Sequence, residues 1–283
     1  MTGVLGIHHV TAIASDPQKN LDFYVGVLGL RLVKRTVNFD DPETYHLYFG
    51  DEVGNPGSIM TFFPWPGARP GRQGTGQVAV TAFAVLPRAL GFWVERLVGH
   101  GITFEGPTRQ VISFKDHDGL ILQLVGHAGA EARPAWGEAP GIPREHAIHG
   151  FHGVTIWTEH GDDTERVLVD TLGFRPVSED GATRRFAVGD GGPGTIVDVR
   201  SVGVFVRGAG GGGNGPPRGV AYSRRRRAAR DARAGHAGGA RAHASDRSEL
   251  LPLGLFSRAG RSAVRARHRP AGVRHRRDRK SVV

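Results

Sequence analysis

The 283-residue chain contains no cysteine. Disulfides, thiolate metal sites and cysteine nucleophiles are therefore excluded. No run of about 18 apolar residues occurs, which is what a membrane-crossing helix needs, so no membrane partner is expected. The first residues lack the basic-then-apolar order of a secretion signal, and a cytoplasmic location is the expectation. Acidic residues are scarce in one region only. From residue 218 onward, 19 Lys and Arg face 4 Asp and Glu, whereas residues 1–217 carry 18 against 23. The formal charge of +10 thus belongs to the tail, and the body is mildly acidic. The tail also lacks aromatic residues among its arginines. Arg224–Arg227 and Arg274–Arg279 would attract phosphates, but no Phe, Trp or Tyr interleaves with these arginines for stacking on bases, so no specific nucleic-acid partner is expected.

What is present is enough chain for two ordinary domains. Residues 5–14 (LGIHHVTAIA) alternate and are β-branched, which predicts a strand. Ser15 or Asp16 caps a helix with Pro17 in its first turn, Leu21, Phe23, Tyr24, Val27 and Leu28 as its buried side, and Gly29 as its stop. Strands are predicted at Arg31–Val37, Tyr45–Phe49 and Ser58–Phe63. The βαβββ order recurs as a strand at Gln77–Val85, a helix at Arg88–Gly99, and strands at Thr103–Gln110, Val111–Lys115 and Leu120–Val125. Asp116–Gly119 (DHDG) reads as a turn rather than a cation site.

An internal repeat then appears. Gly6-Ile7-His8-His9-Val10-Thr11 matches Gly150-Phe151-His152-Gly153-Val154-Thr155, and Leu28–Val33 matches Leu172–Val177, both at an offset of 144 residues. One offset held across a strand and a helix end indicates duplication. Strands at Arg184–Val188 and Thr195–Val202 complete a third βαβββ unit. A fourth does not follow. The chain divides into residues 4–126 with two units, a Pro/Gly/Ala-rich linker at 127–145, a third unit at 146–208, and an Arg/Ala/Gly-rich tail at 209–283. The tail's composition predicts disorder. Gly210–Gly213 is not a phosphate loop, because no Lys-Ser/Thr follows it. Codon degeneracy lets Asn214–Gly219 (NGPPRG) be read one base out of frame as Thr-Val-His-His-Val-Ala, a second copy of the His-His-Val motif. A frameshift between about Ser201 and Asn214 accounts for both the odd composition and the missing unit.

The first His-His-Val motif, set before the stretch Gly26–Gln77, resembles the vicinal oxygen chelate (glyoxalase/extradiol dioxygenase) superfamily, in its hydroquinone-type ring-cleaving dioxygenases. The likeness covers roughly residues 4–208. It implies an α+β fold of repeated βαβββ modules paired into half-open barrels, the glyoxalase/bleomycin-resistance/dioxygenase fold, with the fourth module missing here. It also implies Fe(II), or Mn(II), held by two His and one Glu, with a small aromatic substrate and O₂ on the remaining positions. By resemblance His9 is the metal ligand supplied by module one, while His8 and Thr11 lie on the substrate side, His8 as an acid/base group. The second His and the Glu would come from module four and are not present. Glu249, the tail's sole glutamate, has no family-like context. Strand alternation would turn His8 and His9 to opposite faces unless a bulge intervenes.

Blander roles compete for several residues. His9 alone would read as a buried, hydrogen-bonded histidine. The Tyr45-His46 pair reads as packing, His152 as structural, and His146 and His149 as solvent-facing. Phe62, Phe63 and Trp65 either line a pocket mouth or pack. Two further readings stay open: a metal-free small-molecule binder of the same fold, and a non-functional frameshifted product. A homo-oligomer is compatible with either.

Overall fold

Alternation sets the first strand, but one residue interrupts it. β1 (Val4–Ile7) and β2 (His9–Ala14) are separated at His8, whose carbonyl accepts from Gly57 N at 2.8 Å. Helix α1 (Pro17–Leu21) begins where its cap dictates: Asp16 Oδ1 accepts from Gln18 N (2.8 Å) and Lys19 N (3.0 Å). It runs into a π-helical turn, Asp22–Val27, and stops at Gly29, whose φ of +67° is the left-handed stop that glycine supplies. Strands β3 (Arg31–Asn38), β4 (Asp41–Gly50) and β5 (Ile59–Pro64) follow. These form a four-stranded sheet ordered β2-β5-β4-β3, with β2 and β5 parallel. The computed structural model describes residues 4–38, 41–204, 207–209, 211–212 and 256–258.

The second unit comprises β6 (Gln77–Val85), α2 (Leu90–Gly99), β7 (Phe104–Thr108), β8 (Val111–Lys115) and β9 (Ile121–Gly126). The third comprises β10 (Phe151–Thr158), α3 (Asp162–Arg166), β11 (Arg175–Asp180), β12 (Thr183–Ala187) and β13 (Ile196–Ser201). Like α1, α3 passes into a π-helical turn, Val167–Thr171, and the chain turns at Gly173 with φ +76°. The repeat in sequence is thus a repeat in backbone. Antiparallel pairing of β6 with β10 fuses these two units into one eight-stranded sheet, β11-β12-β13-β10-β6-β9-β8-β7. The first unit's sheet stays separate from it.

Packing holds the first unit against the second. One face of its sheet is wholly apolar, with Val10, Ala12, Leu47, Phe49, Met60 and Phe62 buried. The Tyr24 ring lies against Phe49 and Phe62 at centroid distances of 5.4 and 4.6 Å. Phe62 therefore packs, one of its two predicted roles. The Tyr24 hydroxyl donates to Asp116 Oδ2 (3.0 Å), and Asp116 Oδ1 accepts from Asp118 N (2.9 Å) and Leu120 N (2.8 Å). The DHDG stretch is accordingly a hydrogen-bonded turn.

Residues 127–145 are no loose spacer. Ala130, Ala139 and Ile142 are buried in the common core. Arg133 donates from Nη1 to Phe151 O (2.6 Å) and from Nη2 to Gly57 O (2.9 Å), so one guanidinium ties the first unit to the third. Gly57, Gly150 and Gly194 surround it, with φ of +90°, +78° and +86°. A Cβ on Gly57 or Gly194 would run into the guanidinium. His149 corrects its expected exposure: it is buried, with Nδ1 2.8 Å from Arg133 O. His146 likewise stacks on Phe92 at 4.6 Å.

In the tail, strand β14 (Phe256–Arg258) pairs antiparallel with β1, and Gly212 and Ala209 bridge to Pro70 and Arg72. Most of the segment expected to be disordered, with Glu249 and both arginine runs, lies outside the described residues.

Arg133 is the test of this junction. Arg133→Ala should destabilise the protein by about 2–4 kcal/mol, because two charge-assisted bonds to main-chain carbonyls are lost together. Arg133→Lys should recover little, since an ammonium cannot span both carbonyls with a planar fork. Urea denaturation midpoints decide it, and a loss under about 1 kcal/mol for the alanine variant would refute the assignment.

Candidate metal and substrate face

The face of the first sheet opposite its apolar side carries the predicted site residues. Thr11 and Thr61 are register partners on β2 and β5, and Thr61 Oγ1 lies 2.9 Å from Thr11 Oγ1. Tyr48 on β4 is the partner of Thr61 on the other side. Two residues away from it, and so on the same face, His46 places Nδ1 2.8 Å from the Tyr48 hydroxyl and stacks on Phe63 at 4.0 Å. His9 stands one alternation before Thr11. The face therefore gathers His9, Thr11, His46, Tyr48, Thr61 and Phe63 from three strands.

His8 does not point away. Because the strand breaks at His8, the His8 and His9 rings meet edge to face, 5.2 Å between centroids, with the two Nδ1 atoms 3.1 Å apart. The expectation of opposite faces fails through its own stated exception. The contact also constrains the tautomers. Only one Nδ1 can carry the shared proton when both rings are neutral. If His9 donates, its Nε2 keeps a lone pair for a metal, and His8 presents Nε2–H. Burial, helped by His8, holds the His9 pKa down at about 4, so at neutral pH the ring is uncharged and able to ligate.

His46 is the residue that sequence reasoning assigned to packing. It does pack, but its Nε2 is buried without a hydrogen-bond partner. Burial first, then His9 and Lys34, lower its pKa to about 4. The usable signal was the i, i+2 spacing to Tyr48 on a strand already predicted.

A metal ion makes a demand these residues do not meet. The iron chemistry of the resembled enzymes needs two His and one carboxylate on one side of the ion. Among the described residues no group of three His, Asp or Glu converges so that it could hold a metal. The third unit cannot substitute. Gly153 occupies the repeat position of His9, and a Cβ there would lie 2.8 Å from Ile196 O, a main-chain atom that cannot swing aside. His152 is buried, as its structural reading requires.

The depressed His46 pKa has a stability consequence. Between pH 6.5 and about 4 the unfolded chain binds a proton that the folded chain refuses, so stability falls as pH falls through that window. Asp116 works in the opposite sense, its carboxyl pushed up to about 6 by burial. Comparing variants isolates the histidine. In His46→Gln, which can still bond Tyr48, the drop in Tm from pH 7 to pH 5 should be smaller than in the parent. Equal drops would show that His46 titrates normally.

Comparisons with known proteins identify the fold family. The model of the Glyoxalase/Bleomycin resistance protein/Dioxygenase superfamily matches residues 6–124. A Bacillus subtilis (strain 168) protein named "Putative ring-cleaving dioxygenase MhqO" is 46% identical over 201 residues, covering 69% of this chain and 63% of its own. The chlorohydroquinone/hydroquinone 1,2-dioxygenase of Sphingobium indicum is 31% identical over 203 residues, with shares of 69% and 63%. The chain thus spans less than two thirds of the length of these relatives. A Bacillus subtilis crystal structure described as a putative dioxygenase superposes with a TM-score of 0.68 at 40% identity, covering 81% of this chain and 76% of that one. The chain belongs to the glyoxalase/bleomycin resistance protein/dioxygenase superfamily.

Proposed function

We propose that this chain carries part of a ring-cleaving dioxygenase for a dihydroxylated, hydroquinone-like aromatic substrate, with O₂ as co-substrate and Fe(II) or Mn(II) as metal, and that its turnover is impaired. The observation that supports the reading is the polar face of the first sheet. His9, the ligand position of the resemblance, stands there beside His8, His46 and the Thr11–Thr61 pair, a set of hydrogen-bonding groups suited to a hydroxylated ring. His8 is the acid/base candidate, since Nε2–H is free to donate when Nδ1 accepts from His9. Thr11 positions by hydrogen bonding through Thr61.

Impairment follows from the donor set. One family ligand is present among the described residues and no carboxylate joins it, so no cleavage step is derived for the metal. Affinity depends on ligand number and geometry, and losing two of three ligands removes most of it. A metal-free binder of the same class of ring is the second reading, favoured by the same incomplete donor set. Cytoplasmic location and homo-oligomerisation belong to the proposal and are not needed by it.

Elemental analysis after anaerobic Fe(II) loading distinguishes the readings. The chain should retain far less than one iron per molecule. A version with the reading frame corrected after about Ser201 should retain close to one and consume O₂ when given hydroquinone. Tightly held stoichiometric iron in the chain as it stands would refute impairment. Failure of the corrected version to bind iron would refute the dioxygenase reading.

A further inference from the structure

Fusion of the second and third units encloses a cavity of about 530 Å³ inside the eight-stranded sheet, away from the face that carries His9. That size suits a small organic molecule. Its wall is mixed. Ala82, Val111 and Ile196 supply apolar surface, and Gln123, His152 and Thr155 bring polar groups to the same space.

Two of those polar groups keep hydrogen-bonding capacity unused. His152 is only 6% exposed, and its Nδ1 is buried with no hydrogen-bond partner. An orphaned buried ring nitrogen costs stability unless something pairs with it. Gln123 donates through Nε2 to Ser113 Oγ at 3.0 Å, which leaves its Oε1 to accept from elsewhere.

The charges around the cavity select against ions. Arg185 is bidentate to Asp198, with both bonds 2.8 Å, so this pair is internally neutralised. Arg109 and Asp180, both exposed, pair at 3.2 Å. His152 is held uncharged at neutral pH, its pKa lowered to about 4 by burial and then by Arg185, His127 and Arg133. What remains is uncharged hydrogen-bonding capacity against apolar wall.

An entrance is also visible. β7 and β11 are the two outer strands of the sheet, and the Arg109–Asp180 pair joins the turn after β7 to the end of β11. An exposed ion pair is a weak clasp, readily opened and screened by salt. Arg109 and Gln110 form that turn with φ of +48° and +64°, a conformation that Asn-Gly would enter at less cost.

We propose that the barrel of the second and third units is a binding site for a small uncharged hydroxylated ring, which it holds without chemical change. The inference does not rest on the ring-cleavage reading of the first unit, because no residue is shared.

Ligand-detected NMR titration of the full chain with 2-methylhydroquinone under nitrogen tests it, with benzoate as the anionic counter-probe. Binding should weaken at least tenfold in Gln123→Leu/Thr155→Val, and should vanish in Ala82→Leu, which fills the cavity. It should be unchanged in Val53→Ser, a solvent-exposed position of the first unit outside both polar faces. Each variant's thermal transition confirms that it folds, and the two polar deletions guard against a failure of the filled variant. The proposal is overturned if the hydroquinone does not bind, or if benzoate binds more tightly. It is equally overturned if the Gln123/Thr155 and Ala82 variants bind as tightly as the parent.

Discussion

The free edge of a unit's first strand is the constraint on which the rest of this structure depends. In each unit that strand lies parallel to the unit's last strand on one side and exposes unpaired N–H and C=O groups on the other. Edges of this kind must be covered or they recruit other chains. β6 and β10 meet the demand for each other, antiparallel, and the result is a closed interior between two units. β2 has no such partner among the described residues; only its forerunner β1 is paired, with Phe256–Arg258. The same fact therefore produces an enclosed polar cavity in one place and an open polar face in the other.

The first unit, whose β2 edge is unpaired among the described residues, still has to be held to the other two. Two interactions do this, and both bury polar groups that must be satisfied. Tyr24 carries its hydroxyl into the core and reaches Asp116 in the β8–β9 turn, where two main-chain N–H groups already donate to the carboxyl. Burial still dominates that carboxyl and raises its pKa to about 6, although the bonds from Leu120 and Tyr24 favour its charged form. Arg133 satisfies carbonyls of the first and third units at once. Its glycine cradle shows why the surrounding turns lack side chains: close approach to a planar cation leaves no room for a Cβ. The linker is consequently a structural element, because the residue that joins the units lies within it.

Features decided by neighbours in sequence were legible. The Asp16–Pro17 start of α1, its stop at Gly29, and the extents of β6 and β8 all follow from capping, glycine conformation and alternation, which are local. Features decided by distant residues were not. The break at His8 is accompanied by a bond from Gly57, 49 residues away in sequence. Nothing near Arg133 in the chain announces that its fork will fit between Gly57 and Phe151. His149 looked solvent-facing because it borders a Pro/Gly-rich stretch, and it is buried because that stretch packs. His46 is the intermediate case: its face could be read from Tyr48, but its unpartnered Nε2 depends on what surrounds the finished sheet.

The two histidine positions of the repeat show how one duplicated unit diverges. His8 and His152 occupy equivalent places, yet His8 contacts a second imidazole while His152 has an orphaned nitrogen in a cavity wall. The difference lies in the next residue. At His9 the first sheet accommodates a ring beside its register partner Ile59 on β5. At Gly153 the main chain of Ile196 comes too close for any Cβ. Restoring a histidine at 153 would push β10 from β13, so the second barrel cannot regain a ligand there by one substitution. Its hydrogen-bonding groups are thereby confined to holding a molecule, while His9 stays on a sheet whose β2 edge is unpaired among the described residues.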